Sequence, residues 1–186
     1  MRLIVGISGA SGAVMGYRLL QALGEVPETE VHLIISEGAA RTFASETELS
    51  LAEVEALADV VHDNGNLAAS IASGSYHTDG MLIVPCSMKT VAGIASGYAE
   101  TLIQRAADVC LKEGRPLVLV PRETPLSLVH LRNMKEAAEL GCAIVPPMLT
   151  FYGGAVTVEK QIDHIIGKLF LQFGLSYKNR TSWEGG

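Results

Sequence analysis

The chain has 186 residues, of which 48% are hydrophobic and only 18% are charged, so it is long enough for one domain with a sizeable core. The net charge of −6 and the lack of a basic stripe argue against a nucleic-acid partner, and no apolar run approaches the ~20 residues of a membrane span. The mean hydropathy of +0.30 is apolar for a soluble monomer, which favours a homo-oligomer with a large buried interface.

The cysteines and the start of the chain indicate the compartment. Met1 leads directly into the first predicted strand and leaves no room for a signal peptide, so we expect a cytoplasmic protein. Cys86, Cys110 and Cys142 are widely spaced, without a C-x-x-C pair, and predict neither a disulfide framework nor a metal site. Cys86 has no histidine adjacent in the sequence, and we interpret it as a structural residue rather than a nucleophile.

The first predicted element is a buried strand that ends in a glycine- and serine-rich turn before a helical pattern. Residues 9–12 have almost no side-chain bulk, so a ligand can approach the backbone and the helix N-terminus that follows. Gly6, Gly9 and Gly12 give G-x-x-G-x-x-G, which differs from the G-x-G-x-x-G dinucleotide fingerprint. We therefore expect a phosphorylated cofactor other than a dinucleotide. The alternative is a plain tight turn, which also needs glycine.

Strand and helix patterns then alternate along the chain. Strands are predicted over residues 31–36, 81–87, 117–120 and 143–146, and helices over 38–45, 50–58, from 88, over 100–112, 126–140 and 158–173. This order predicts an α/β class: a single-domain, Rossmann-like, three-layer fold with a mainly parallel sheet and helices on both faces. The domain is expected to span residues 1–174, followed by a C-terminal tail over 175–186.

In such sheets the ligand lies beyond the carboxyl ends of the strands. Three of these ends carry hydroxyl residues, and the fourth carries a charged pair: Ser11, Ser36, Ser87 with Thr90, and Arg122 beside Glu123. Hydroxyls and backbone amides suit a planar ring and its monophosphate, as in FMN. For Ser87 alone, a plain helix cap explains the residue equally well.

The charged pair predicts phosphate chemistry. A guanidinium such as Arg122 can clamp a phosphate, and a desolvated Glu123 can donate a proton to a leaving oxygen. The alternative is a pair of solvated loop charges. Lys112 is a weaker candidate, because a lysine at a helix C-terminus is also favoured by the helix dipole.

Together these motifs resemble the UbiX-type flavin prenyltransferases, including the branch named after phenolic and aromatic acid decarboxylases. The resemblance covers nearly the whole chain and rests on Gly9-Ala-Ser-Gly12, Ser45-Glu-Thr47, Pro85-Cys-Ser87, Arg105-Ala-Ala-Asp108, Leu111-Lys-Glu113, Arg115-Pro-Leu-Val118, Pro121-Arg-Glu-Thr-Pro125 and Phe151-Tyr152. It implies transfer of a dimethylallyl group from dimethylallyl monophosphate to N5 and C6 of reduced FMN, without a metal. It also implies a dodecamer, and a UbiD-type decarboxylase that receives the prenylated FMN.

The resemblance also assigns site residues. It implies that FMN is bound by Ala10, Ser11, Gly12, Ser36, Ser87, Met88, Lys89, Thr90 and Arg122. It implies that the dimethylallyl phosphate is held by Lys112, Arg122, Tyr152 and Lys168, with Ser11, Glu46 and Glu123 as catalytic residues. Trp183 is expected to help shield the allylic fragment.

Two departures from the family pattern concern the phosphate. Lys168 stands where many members have Arg, and Gly153-Gly154 follows Tyr152 in place of a bulkier residue. Two other functions stay open at this point: a non-catalytic FMN-carrying component of a decarboxylase, and a flavin-dependent decarboxylase of the cysteine-decarboxylase type. The first would not need the phosphate-binding residues. The second uses a catalytic histidine and a Pro-x-Met-Asn segment, neither of which stands out here.

Overall fold

The computed structural model describes residues 1–151 and 157–179. Its strands are β1 (Arg2–Ile7), β2 (Glu30–Ile35), β3 (Val60–Asp63), β4 (Gly80–Cys86), β5 (Leu117–Pro121) and β6 (Ala143–Ile144). Its helices are α1 (Ala13–Gly24), α2 (Glu37–Glu46), α3 (Leu51–Glu55), α4 (Met88–Ser96), α5 (Leu102–Lys112), α6 (Leu128–Glu139) and α7 (Val158–Leu171), with one 3-10 turn at Ser70–Ala72. Within these residues, no helix has the length and apolar character needed to cross a membrane.

The strands form one sheet of order β3-β2-β1-β4-β5-β6, in which every pair of neighbouring strands is parallel. The central strands are continuous apolar runs because both faces of the sheet are covered. One core, which includes Leu19 of α1 and Leu169 of α7, covers one face. A second core, which includes Val91 of α4 and Ile103 of α5, covers the other. The predicted three-layer α/β fold is therefore confirmed.

The structure differs from the sequence predictions in the two outer strands of the sheet and in two helices. β3 was not predicted, because this short edge strand alternates between half-buried and exposed residues and lacks a continuous apolar run. β6 comprises two residues rather than four, and α3 ends at Glu55 rather than at residue 58. The predicted helix over 126–140 is present as α6 but is largely exposed: among its residues only Ala137 is buried, and Leu131 is 49% exposed.

Residues 175–179, the first part of the predicted tail, pack against the domain. Leu175 and Tyr177 lie on the core shared by α1 and α7, and the Tyr177 hydroxyl donates to Asp163 Oδ1 at 2.8 Å. The rest of the predicted tail, including Trp183, lies outside the described residues.

Candidate active site

The carboxyl ends of β1, β2, β3 and β4 surround a crevice of about 330 Å³. Its lining comes from the strand ends and from the helices that begin there: Ser8, Gly9, Ser36, Glu37, Gly38, Asn64, Ser87, Lys89, Thr90, Thr101, Ile103 and Gln104. The parallel topology brings these segments together, because each strand delivers its carboxyl end to the same edge of the sheet.

Ser8 fixes the ends of β1 and β4 to each other. Its hydroxyl donates to the carbonyl of Pro85 at 3.2 Å and accepts from the backbone N–H of Ser87 at 2.7 Å. Ser8 is 2% exposed, so both hydrogen bonds are protected from water. The two loops that bound the crevice are therefore held in one arrangement before any ligand arrives.

The loop after β1 and the first turn of α2 touch at two glycines, Gly9 and Gly38. A Cβ added to Gly9 would lie 2.9 Å from the Cα of Gly38, and one added to Gly38 would lie 3.2 Å from the Cα of Gly9. A side chain at Gly9 would therefore force the two segments apart, and one at Gly38 would crowd the backbone of Gly9. Gly9 of the first turn thus shapes the crevice wall together with Gly38, which supports the interpretation that a ligand approaches there.

Three capped helices begin at the crevice. Ser36 accepts from Ala39 N–H at 3.1 Å, Ser87 from Thr90 N–H at 3.3 Å, and Thr101 from Gln104 N–H at 3.5 Å. The positive ends of α2, α4 and α5 therefore face a common space, which favours an anion. The cap that was an alternative explanation for Ser87 is real, and Ser87 also lines the crevice. The two roles are compatible, because the cap uses only an oxygen lone pair.

Lys89 and Thr90 add further groups on the first turn of α4. Lys89 is exposed and lines the crevice, and the Thr90 hydroxyl lies 3.0 Å from that of Ser87. Hydroxyl donors, a lysine and three helix N-termini form the donor set expected for a phosphate monoester.

A carboxylate closes the N-terminus of α1 at the same edge of the sheet. Gly12, the N-cap of α1 with a φ of 94°, has no side chain to supply a cap. Glu46, the last residue of α2, takes that role: its Oε2 accepts from the backbone N–H of Gly12 at 2.8 Å and of Ala13 at 3.4 Å. A residue distant in sequence thus supplies the acceptor that the helix end requires.

The surroundings of Glu46 favour its ionised form. Partial burial acts to raise the pKa of this carboxyl, but hydrogen bonds from Ser11, Gly12 and Ala13 and the charge of Arg122 outweigh it. The pKa of Glu46 therefore lies below its usual value, and the group is a carboxylate at neutral pH. Ser11, Glu46 and Arg122, three of the predicted site residues, thus form one interacting group.

Arg122 and Glu123 directly follow β5. The backbone N–H of Arg122 donates to the carbonyl of Cys86 at 3.2 Å, which places this loop beside the end of β4. Both side chains are exposed, and Glu123 Oε1 accepts from the Thr124 N–H at 2.9 Å. This chain alone therefore does not supply the desolvation that a proton-donating Glu123 requires.

Comparison with known proteins agrees with this geometry and identifies the family. The family model described as Flavoprotein matches residues 1–170. A probable UbiX-like flavin prenyltransferase from Sedimentibacter hydroxybenzoicus is 62% identical over 185 residues, which cover 100% of this chain and 98% of that protein. The chain belongs to the UbiX-like flavin prenyltransferase family.

Solved structures of this family share the fold throughout. The dodecameric FMN-dependent UbiX-like decarboxylase from Escherichia coli O157:H7 superposes with a TM-score of 0.98 at 52% identity, with full coverage of both chains. AnUbiX (PadA1), in complex with FMN and dimethylallyl pyrophosphate, superposes with a TM-score of 0.96 at 46% identity over 100% of this chain and 98% of that one. The resemblance inferred from the motifs is therefore confirmed.

Two residues expected at the substrate phosphate, Lys112 and Lys168, lie away from the crevice within this chain. Lys112 ends α5, close to Gly74 and to the start of β5, and so lies at the amino-end edge of the sheet, where it pairs with Glu113. Lys168 is exposed on the last turn of α7. Phe173, five residues later, reaches Gly80 at the start of β4. Neither lysine is among the residues that line the crevice.

Met88, Tyr152 and Cys86 are the other residues for which the sequence made a prediction. The side chain of Met88 is buried in the core beneath α4, so only its backbone can serve a ligand. Tyr152 lies outside the described residues. Burial raises the pKa of the Cys86 thiol, which agrees with the interpretation of Cys86 as a structural residue.

Sequence reasoning missed Asn64, Thr101 and Gln104. The Thr-x-x-Gln pattern was a visible capping signal, and the structure confirms a capping box there. Asn64 follows the unpredicted strand β3, so no signal marked it as a strand end. Among the described residues, no group of three or more His, Cys, Asp or Glu side chains is arranged to hold a metal ion.

Proposed function

We propose that this protein transfers a dimethylallyl group from dimethylallyl monophosphate to N5 and C6 of reduced FMN. The prenylated FMN would then serve a UbiD-type decarboxylase. The observation that carries the proposal is the pairing, at one edge of the sheet, of an anion-binding crevice with the Ser11–Glu46–Arg122 group. The full-length similarity to flavin prenyltransferases and to a structure holding FMN and dimethylallyl pyrophosphate supports it.

The crevice residues fit the flavin. The hydroxyls of Ser36, Ser87 and Thr90, together with Lys89, offer donors to the FMN phosphate at the N-termini of α2 and α4. The bare backbone at residues 9–12 admits a planar ring, with Ala10, Ser11 and Gly12 as its neighbours. Reduced FMN supplies the electron-rich N5 and C6 atoms that accept the allyl group.

Cleavage of the allylic C–O bond leaves the bonding electrons, and thus growing negative charge, on the departing phosphate. Arg122 would stabilise that charge at the end of β5, and we assign Lys112, Lys168 and Tyr152 to the same phosphate. Glu123 would protonate the departing phosphate, and the ionised Glu46 would accept the proton released at ring closure. Ser11, which binds Glu46, would act beside flavin N5.

Because Lys112 and Lys168 lie away from the crevice, we propose that neighbouring subunits complete the site. Apolar surface available for association is exposed on α6 and on the segment before α7, where Leu128 is 72% exposed and Phe151 is 85% exposed. A dodecamer like that of the Escherichia coli O157:H7 relative would use such surfaces. The buried free thiols of Cys86, Cys110 and Cys142 support a cytoplasmic location.

The two alternative functions fit less well. A non-catalytic FMN carrier would need the crevice but not the ionised Glu46 held beside Ser11 and Arg122. A cysteine-decarboxylase type of enzyme needs a catalytic histidine, and no histidine lines the crevice. The full-length relative at 62% identity is a probable prenyltransferase.

The test is mass spectrometry of the flavin after anaerobic incubation of the protein with reduced FMN and dimethylallyl monophosphate. We expect a flavin heavier by one dimethylallyl unit, and no such product with oxidised FMN. A parallel incubation with dimethylallyl pyrophosphate determines which phosphate ester is accepted. Bound FMN of unchanged mass with both esters would show a carrier rather than a prenyltransferase.

A further inference from the structure

Asn64 joins the edge strand β3 to the N-terminus of α5 at the crevice. Its backbone carbonyl accepts from Leu102 N–H at 2.8 Å, and its side-chain Oδ1 accepts from Ile103 N–H at 3.1 Å. Asn64 is half-buried and lines the crevice together with Ser36, Lys89 and Thr90. It is therefore held rigidly at the point where three helix N-termini meet.

The cap fixes which way the amide of Asn64 points. Only the oxygen of a primary amide can accept the Ile103 N–H, so the oxygen faces α5 and the amino group is directed elsewhere. Within residues 1–151 and 157–179, that amino group donates no hydrogen bond to the protein. An asparagine at the crevice thus keeps two N–H donors for a ligand.

The neighbouring amide of Gln104 is arranged differently. Its Oε1 accepts from the backbone N–H and the hydroxyl of Thr101, each at 3.2 Å. Its amino group lies against Gly93 of α4, where an added Cβ would collide with it, and Gln104 is 6% exposed. Gln104 is therefore buried between α5 and α4, whereas Asn64 is half-buried at the crevice, where its amino group is accessible to a ligand.

We propose that Asn64 is an additional flavin-binding residue whose Nδ2 group donates to the phosphate of FMN. This rests on the proposed function, because it takes the crevice as the FMN site. The donors around Asn64 (Lys89, two hydroxyls and the helix N-termini) suit a dianionic phosphate better than a neutral polyol, which both donates and accepts. Asn64 would then contribute to the preference for FMN over riboflavin.

The decisive variant is Asn64→Asp. An aspartate keeps the oxygen that accepts from Ile103, so the α5 cap survives, but it offers no donor and adds a negative charge. We expect FMN affinity to fall about 10- to 100-fold, the size associated with a lost hydrogen bond to a charged group, while riboflavin affinity changes much less. Quenching of flavin fluorescence measures both affinities, and thermal unfolding checks the fold.

Asn66→Asp is the matched control. Asn66 Oδ1 also accepts a nearby backbone N–H, from Ala68 at 3.0 Å, but Asn66 is exposed and does not line the crevice. The same charge change there should leave both affinities unaltered. Asn64→Ser, which is neutral and can still cap α5, should lower FMN affinity by a smaller factor than Asp and serves if the Asp variant is unstable.

The outcomes distinguish the assignment of Asn64 to the FMN phosphate from the assignment of the crevice as the flavin site. Equal weakening of FMN and riboflavin by Asn64→Asp, or no change in either, would overturn the assignment of Asn64 to the phosphate. If Gly9→Ala, which alters the crevice wall, also leaves FMN binding intact, the crevice itself is not the flavin site. A selective loss of FMN binding in Asn64→Asp alone among the asparagine-to-aspartate variants supports the inference.

Discussion

The carboxyl ends and the amino ends of the parallel strands are built differently. At the carboxyl-end edge, polar side chains are fixed by short hydrogen bonds to backbone groups, as Ser8 is to β4 and Glu46 is to the start of α1. Lys112, at the amino ends of the strands, and Lys168, near the end of α7, are exposed and do not line the crevice. One chain therefore preorganises the crevice that we assign to the flavin but leaves dispersed the lysines that we assign to the substrate phosphate. This difference separates flavin binding from allyl transfer, and mutations can affect one without the other.

The largest expected effect concerns transfer alone. Glu123→Gln should lower the prenylation rate by ~10²–10⁴, the usual size of a general-acid contribution, and leave FMN affinity unchanged because Glu123 does not line the crevice. Single-turnover assays of flavin absorbance measure the rate, and titration measures the affinity. Glu139→Gln, on the exposed side of α6, is the control. An unchanged rate for Glu123→Gln would leave Glu46 as the candidate carboxylate.

A smaller effect is expected on binding. Gly9→Ala places a Cβ 2.9 Å from Gly38, so the two loops must separate, and we expect FMN affinity to fall roughly 10-fold, as when one hydrogen-bonded contact is lost. Gly24→Ala, at the end of α1, meets no atom within 4 Å and should leave FMN affinity unchanged while slightly raising the unfolding temperature. Calorimetric titration and thermal unfolding compare the pair. Equal FMN affinities would show that the crevice is not the flavin site.

The smallest expected effect concerns stability at the amino-end edge. There His32 Nδ1 lies 2.8 Å from His62 Nε2, and His32 Nε2 lies 2.9 Å from Glu30, which also pairs with Arg2. Tyr76 packs edge-on to His32 beneath Arg2. Burial, and then the nearby His32, lower the pKa of His62 below its usual 6.5.

Since the unfolded chain binds a proton more readily at His62, stability is fully present above about pH 6.5 and declines as the pH falls through the lower folded-state value. The free energy of unfolding, measured with denaturant, should therefore fall more steeply between pH 8 and pH 5 for the wild type than for His62→Gln. Burial also lowers the pKa of His164. His164 is present in both proteins, so its contribution to the pH dependence cancels in the comparison. Parallel profiles for the two proteins would contradict this role of His62, and FMN affinity should be the same in both.

Much of the crevice that we assign to the flavin could be predicted from local sequence. The apolar runs of β1, β4 and β5 and the caps Ser36 and Ser87 are short-range signals that give strand ends directly. Asn64 was missed because its role depends on contacts with residues 39 positions away, after an edge strand too polar to be recognised. The exposure of α6 could not be predicted, because an apolar helix face looks the same whether it meets the core or another subunit.

The residues that we assign to the substrate phosphate could be predicted only as residue types, without their positions in the fold. The resemblance names Lys112 and Lys168, but their distance from the crevice follows from topology. Helices that return between parallel strands end at the amino-end edge, where Lys112 lies. The position of Lys112 therefore follows from the order of strands and helices rather than from the residues around it in the sequence.

The most direct test of a site shared between subunits is complementation between Lys112→Ala and Arg122→Ala chains. Each variant alone should form oligomers with little transferase activity. When the two are co-expressed, random assembly should restore about a quarter of the sites, because a site that takes Arg122 and Lys112 from different subunits can receive both intact. Activity near that fraction of wild type supports the account. Co-expressed oligomers no more active than the two parents would contradict it and place both residues in one chain's site.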